Sequence, residues 1–348
     1  MKKKIKVAIV GIGNCASNLI QGIDYYKNNS DLDIGLMHRE VGGYDIGDIE
    51  IVVAFDIDEH KVGKDLSEAI FAEPNCTKKI CSVSYKGVKV KKGPVLDGWN
   101  KHLGKFVKLS NEQPVNVKVE LIRSEVDVLV VLLPSGSNDA CRFYVEEALK
   151  AGISVVNGIP VFLSQDPNII ELAEKNKVAI IGDDFKSQIG GTIFHHTLLN
   201  LLKIRGVQVN NSHHINYAGN MDFWNLMTPR GDDKHKSKAN GVKSGSEEID
   251  LSVNVTYLEN QKDNKTCRIY IEGQNFGGCP VTIEGKLTVV DSANSSGVLV
   301  DAIRCLMVAK DNSIYGYLEE PSAYYMKSPK VQMLEDIAYA KVCEFMDM

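Results

Sequence analysis

The chain has 348 residues, 44% apolar and 24% charged, which fits a packed globular protein and excludes disorder, a collagen repeat and a disulfide-built miniprotein. Forty Lys and Arg against 45 Asp and Glu leave a net charge of -5, which excludes a field strong enough to draw in nucleic acid or an anionic membrane. The length predicts two domains, and the longest apolar run, VLVVLLP ending at Pro134, falls far short of the roughly 18 residues a membrane span needs.

Residues 5–10, IKVAIV, form a continuous β-branched run that suits a strand buried on both faces. Gly11-Ile12-Gly13-Asn14-Cys15-Ala16 follows, then a helical pattern with Leu19, Ile20, Ile23 and Tyr26 on one face. Strand, glycine turn and helix make the first unit of a dinucleotide-binding fold. The glycines allow the tight turn, and the helix N-terminus presents free N–H groups to a pyrophosphate. A tight βα turn without a ligand is the alternative reading.

The next strand, Ile49–Asp56, ends on a carboxylate. Such a residue accepts from a ribose 2′-hydroxyl and repels a 2′-phosphate, which favours NAD over NADP. The opposing reading has Arg39 or His60 reaching a phosphate. Asp56 stands 45 positions beyond Gly11 instead of the usual ~20, so the Gly- and Asp-rich segment 28–48 reads as an insertion. Residues 71–120 read as an excursion ending near Trp99. Strands are then predicted at 126–133, 153–156 and 178–181, with helices through 141–150 and 166–176 between them, so an α/β alternation runs to about residue 184.

A helix is predicted over 186–203, with Ile189, Ile193, Leu198 and Leu202 on its apolar face. Four strand-like runs follow: VQVNNSHHINY, IDLSVNVTYL, TCRIYIEGQ and VTIEGKLTVV. They predict an open or partly antiparallel sheet, interrupted by a polar loop holding Lys234, Lys236 and Lys238. Helices return at 296–311 and 331–346. The fold class is therefore α/β: a split Rossmann-type NAD-binding domain (1–203 and 292–348) with an inserted α+β domain for catalysis and oligomerisation (204–291).

The chemistry-bearing side chains admit bland readings too. Lysines in a polar loop are usually solvated, but such a loop can also close over a phosphorylated substrate. Asp183 and Asp184 end a strand where open α/β sheets place ligands, or serve as turn residues; Asp291 can cap a helix starting near Gly297. Adjacent His195-His196 and His213-His214 do not present a chelating pair, so no protein-held zinc is expected. The eight cysteines form no C-x-x-C pair, and no secretory cleavage pattern follows MKKK. Reduced thiols and a cytoplasmic location are the expectation, with Cys15, in the glycine turn, the thiol to test for reactivity.

Taken together, VGIGNCASNLIQG, KKGPVLDG, VVLLPSGS, VNGIPVF, GDDFKSQIG, NYAGNMDF, VVDSANSSG and YYMKSPK resemble the myo-inositol-1-phosphate synthase family, especially its short bacterial and archaeal branch, nearly end to end. The resemblance implies NAD-dependent conversion of D-glucose 6-phosphate to 1D-myo-inositol 3-phosphate. C5 is oxidised, C6 is enolised, the C6 enolate attacks the C1 aldehyde, and C5 is re-reduced. It also implies a homotetramer, and members differ in dependence on a divalent cation.

Carried over by motif, the catalytic residues would be Lys234, Lys238, Lys265, Lys327, Asp184 and Asp291. Lys236 is an alternative to Lys234 for the proton at the C5 oxygen. Asn216, Asn220 and Asp222 would bind substrate. Gly11, Gly13, Asn14, Cys15, Ala16, Asp56, Pro134, Ser135, Asn157, Asp184 and Ser292 would contact NAD. An ordinary dehydrogenase of a phosphorylated sugar or semialdehyde would share the fold but accumulate NADH, and a non-catalytic NAD sensor would not need the lysines.

Overall fold

The structure, a computed structural model, describes residues 4–227 and 250–348. The loop lysines Lys234, Lys236 and Lys238 lie outside the described residues.

The chain opens with β1 (Ile5–Val10) and α1 (Asn14–Asn28). The 28–48 insertion folds into the hairpin β2 (Glu40–Val41) and β3 (Tyr44–Asp45), and β4 (Ile49–Asp56) follows. Within the 71–120 excursion, after the short α2 (Leu66–Ala69), regular structure is limited to β5 (Lys91–Lys92), a 3-10 turn and α3 (Val117–Arg123). The alternation then resumes with β6 (Val128–Val131), α4 (Asn138–Lys150), β7 (Ser154–Asn157), α5 (Pro167–Lys175) and β8 (Ala179–Ile181).

Seven strands form one parallel sheet in the order β13-β8-β7-β6-β1-β4-β5, where β13 is Gly316–Tyr317. The chain leaves β1 towards β4 on one side and later returns to β6 on the other. That reversal opens a crevice beyond the carboxyl ends of β1, β4 and β6. Alternate residues of β1 feed two cores. Ile5, Val7 and Ile9 pack with α1 and with α8 (Asp291–Asp311), while Ala8 and Val10 pack with α3, α4 and α5. Each buried Val or Ile contributes about 1.5–3 kcal/mol relative to exposure, so a strand apolar on both faces has one stable place, between helix layers.

After β8 comes α6 (Gly191–Ile204). The helix expected from residue 186 begins five residues later. Residues 187–190 are held instead by the first turn of α8: Gln188 N–H donates to Asn294 O at 2.9 Å, and Ile189 N–H to Asn294 Oδ1 at 3.1 Å. Ile189, expected on the apolar face, is half exposed. A second sheet follows, from β9 (Gln208–Ala218), β10 (Asp250–Tyr257), β11 (Asn264–Gln274) and β12 (Pro280–Val290), in the order β10-β9-β11-β12. The β11–β12 and β9–β11 pairs are antiparallel, but β9 and β10 run parallel. The short α7 (Met221–Leu226) lies between β9 and β10. Helix α6 covers one face of this sheet through Leu199 and Leu202 against Cys267, Ile269 and Ile271.

Helix α8 starts at Asp291, five residues before the expected position, so Asp291 sits in its first turn and does not cap a helix at Gly297. The chain ends with α9 (Glu319–Tyr325) and α10 (Glu335–Met346); residues 331–334, expected helical, are not. Among the described residues no helix is long and apolar enough to cross a membrane.

Candidate active site

Gly11 adopts φ +89°, and a Cβ there would lie 2.5 Å from the Leu132 carbonyl oxygen. Only glycine lets β1 turn this tightly against the end of β6. Gly13 differs: a Cβ on it would meet nothing within 4 Å. It is the N-cap of α1, with no side chain capping the helix, so the first N–H groups of α1 face a cleft of about 240 Å³ and suit an anion.

Asp56 lines the same cleft from the tip of β4. Its Oδ2 accepts from Ile12 N–H at 2.8 Å, and its Oδ1 from Ile57 and Asp58 N–H at 2.7 and 3.0 Å. Those bonds fix the carboxylate against the glycine turn and leave lone pairs for a ribose. Asn14 accepts from the N–H groups of Cys76 and Thr77, and Asn75 donates to Ile12 O at 3.0 Å. Segment 74–77 therefore walls the turn, with buried Lys61 donating to Asn75 Oδ1 at 3.1 Å. Sequence reasoning missed Lys61, Asn75 and Thr77, because their segment carries neither a strand nor a helix period.

The opposite wall brings in the second sheet and α8. Lys265 Nζ lies 2.9 Å from Asp291 Oδ1, and Lys327 Nζ lies 3.2 Å from Asp184 Oδ1. Both lysines face the cleft and also a smaller adjoining pocket that Asn216 lines. Asn220, Asp222, Asp291 and Ser292 line the main cleft with Cys15, Ala16, Pro134 and Ser135. Ser135 Oγ donates to Asp222 Oδ1 at 3.0 Å, joining the β6 loop to α7.

Asp184 does not itself line the cleft. It is almost fully buried at φ +58°, and Lys327 N–H donates to its carbonyl at 2.7 Å. Asn157, expected at the cofactor, is fully buried and donates to Asp183 Oδ1 at 2.6 Å and Val161 O at 2.7 Å, so it braces the carboxylate loop from behind. Burial pushes the Asp183 carboxyl up to about 7.

Asp263 is a buried hub that the sequence did not reveal. It accepts from Thr77 Oγ1 at 2.5 Å, Asn220 Nδ2 at 3.0 Å and Ser292 Oγ at 3.0 Å, and thereby joins the 74–77 wall, α7 and the start of α8. Burial first, and then the neighbouring Asp291 charge, raise its carboxyl above the ordinary range. The Cys15 thiol is pushed up to about 12, by burial first and then by Asp263 and Asp291, which disfavours the reactive thiolate at the residue singled out for testing. Among the described residues no group of three His, Cys, Asp or Glu side chains is arranged to hold a metal ion.

A doubly wound parallel sheet with an open glycine turn, a strand-end carboxylate and two lysine–carboxylate pairs around one crevice defines a protein of the Rossmann-like class. The comparisons narrow this class. Residues 190–292 match the family described as myo-inositol-1-phosphate synthase, and residues 105–182 match a Rossmann-like domain of unknown function. Inositol-3-phosphate synthase of Mycobacterium tuberculosis is 44% identical, over 98% of this chain and 95% of that protein. The enzyme of the same name from Mycolicibacterium smegmatis is 43% identical, over 99% and 98%. The crystal structure of a myo-inositol-1-phosphate synthase-related protein from Thermotoga maritima is 27% identical and superposes with a TM-score of 0.83, over 99% of this chain and 98% of that one. The chain belongs to the inositol-3-phosphate synthase family.

Proposed function

We propose that this chain is an inositol-3-phosphate synthase that converts D-glucose 6-phosphate to 1D-myo-inositol 3-phosphate with recycled NAD. The observation that carries this reading is the convergence of the Lys327–Asp184 and Lys265–Asp291 pairs on the cleft that holds the open glycine turn. When bound, NAD supplies reversible oxidation of the substrate at C5.

The chain's own residues supply the rest. The first N–H groups of α1, above Gly13, hold the pyrophosphate, and Asp56 accepts from the ribose hydroxyls and disfavours a 2′-phosphate. Enolisation and ring closure both place negative charge on substrate oxygens. Ammonium groups fixed in advance stabilise that charge without reorganising at the moment of reaction. Lys327 is only 12% exposed at its side chain and Lys265 15%. Each is therefore aimed by its carboxylate partner and shielded from most of the solvent that would weaken it. Lys327 with Asp184 supports hydride transfer at C5, and Lys265 with Asp291 serves the phosphate or the C1 oxygen. Lys234 and Lys238 add donors from their loop, and Asn216, Asn220 and Asp222 orient substrate.

The reading extends to a cytoplasmic homotetramer. Among the described residues, β10 and β12 are the outer strands of the second sheet and offer edges for such an assembly to cover.

The test incubates the protein with glucose 6-phosphate and NAD at well below stoichiometric amount, and follows products by phosphorus NMR. Multiple turnovers to an inositol phosphate support the synthase. Accumulation of NADH up to the NAD supplied, without that product, identifies a dehydrogenase instead.

A further inference from the structure

Strand β9 carries an alternating polar ladder. Ser212, His214 and Asn216 point to its α6 face and are buried, while His213 and Ile215 point to the other face and are exposed. Helix α6 lays His195 over this ladder. His195 Nε2 lies 2.5 Å from Ser212 Oγ, His195 Nδ1 lies 3.3 Å from His214 Nδ1, and His214 Nε2 lies 3.1 Å from Asn216 Oδ1. Four polar side chains thus run in line from the covered sheet to the small pocket that Asn216 shares with Lys265 and Lys327.

We propose that His195 and His214 form a polarised pair of imidazoles that holds Asn216 with its amide nitrogen turned to the Lys265–Lys327 pocket, making His214 a positioning residue. This rests on the reading of that pocket as part of the synthase site. The polarity follows from the far end of the chain. With the Asn216 amide oxygen facing the ring, His214 Nε2 carries the proton that meets Asn216 Oδ1, and Cys267 Sγ, 3.0 Å from the same nitrogen, serves as a second acceptor. In a neutral ring Nδ1 is then bare, and it accepts from His195 Nδ1–H. His195 Nε2 is bare in turn and takes the Ser212 Oγ–H at 2.5 Å in preference to the Tyr270 carbonyl at 3.4 Å.

Burial keeps His195 neutral, with its imidazole pushed down to about 4. Among the described residues, the titratable groups packed around the pair include His196 beside His195, and Cys267, whose Sγ lies 3.0 Å from His214 Nε2, with Lys186, Lys265 and Lys327 in the adjoining pocket. The reverse polarity would turn the Asn216 oxygen towards the pocket and withdraw its donors from a substrate oxygen.

Nitrogen-15 NMR of histidine-labelled full-length protein reads the tautomers directly. The expected result is a proton on Nδ1 of His195 and on Nε2 of His214, with neither ring charged at neutral pH. The opposite tautomers, or a charged ring, overturn the proposal. A second arm compares His214→Gln, whose amide N–H can still donate to Asn216, with His214→Leu, which cannot. The leucine variant should lose about tenfold or more in kcat/KM with unchanged NAD affinity, and glutamine should recover most of it. Equal activity in the two variants overturns the positioning role. Should the wild-type protein form no inositol phosphate, the synthase reading falls, and the tautomer measurement still decides the histidine pair.

Discussion

Lys327 is tied to Asp184 twice: its ammonium stands 3.2 Å from the Asp184 carboxylate, and its backbone N–H donates to the Asp184 carbonyl at 2.7 Å. The backbone bond sets where the side chain starts and the ion pair sets where it ends. Lys327→Ala should abolish turnover and leave NAD affinity unchanged. Asp184→Asn should lower kcat by about 10²–10³, and asparagine tolerates the left-handed backbone at φ +58°. Steady-state rates and calorimetric NAD titration check both; an active Lys327→Ala enzyme would remove this lysine from the chemistry.

The two turn glycines should fail in different ways. Gly11→Ala forces a Cβ onto the Leu132 carbonyl from a positive φ, and should lower the melting temperature or prevent folding. Gly13→Ala meets nothing within 4 Å in the protein itself. It should melt as the wild type does yet lose NAD binding, because the methyl group enters the space left for the pyrophosphate. Normal NAD affinity in a folded Gly13→Ala protein would move the cofactor elsewhere.

Asp56→Ala should weaken NAD binding by about 1–3 kcal/mol through lost charged hydrogen bonds, and should narrow the preference over NADP. Fluorescence titration with both dinucleotides reads the two effects. Unchanged affinities would displace the ribose from the tip of β4.

His195 gives stability a pH dependence of known sign. Burial first, and then the neighbouring His196 charge, lower its imidazole to about 4, against about 6.5 in the unfolded chain. Between those values the unfolded chain binds a proton that the folded chain refuses. Stability from this group is therefore complete above about pH 6.5 and is lost as pH falls towards 4, by an amount on the order of 1–3 kcal/mol. Urea unfolding of wild type and His195→Gln at pH 7 and pH 5 should show the smaller pH dependence in the variant.

Cys15, despite its place in the glycine turn, should resist alkylation at pH 8, with its thiol pushed up to about 12. Exposed Cys279 should be modified first. Peptide mass mapping after brief iodoacetamide treatment gives the order, and early labelling of Cys15 would contradict its raised thiol pKa.

What the sequence made legible follows from how local each signal is. β1, the glycine turn and α1 are specified by adjacent residues, and Ile49–Asp56 matches its strand end to end. Asp263 had no such signal. It sits in a polar turn, and its role is made by Thr77, Asn220 and Ser292, which are distant in sequence. The early start of α8 has the same origin. Asp, Asn and Ser are weak helix formers, so 291–295 read as a loop, but Asp291 N–H donates to Asp263 O and Ser292 N–H to Asp263 Oδ2, and tertiary contact overrides propensity. Residues 186–190 fail in the opposite sense. Their apolar spacing suggested a helix, and the Gly190-Gly191 pair with the grip of Asn294 prevents one. The alternation of His213 and His214 between faces was readable from strand period, but the arrival of His195 from another element was not.

The central claim is that C5 of the substrate is oxidised and later re-reduced by the same cofactor molecule within one turnover. Glucose 6-phosphate carrying deuterium at C5, incubated with sub-stoichiometric NAD, tests it most directly by mass spectrometry and NMR of the product. The account predicts inositol 3-phosphate that keeps one deuterium at the former C5, with no build-up of NADH. Deuterium collected in accumulating NADH, with no inositol phosphate formed, would contradict it.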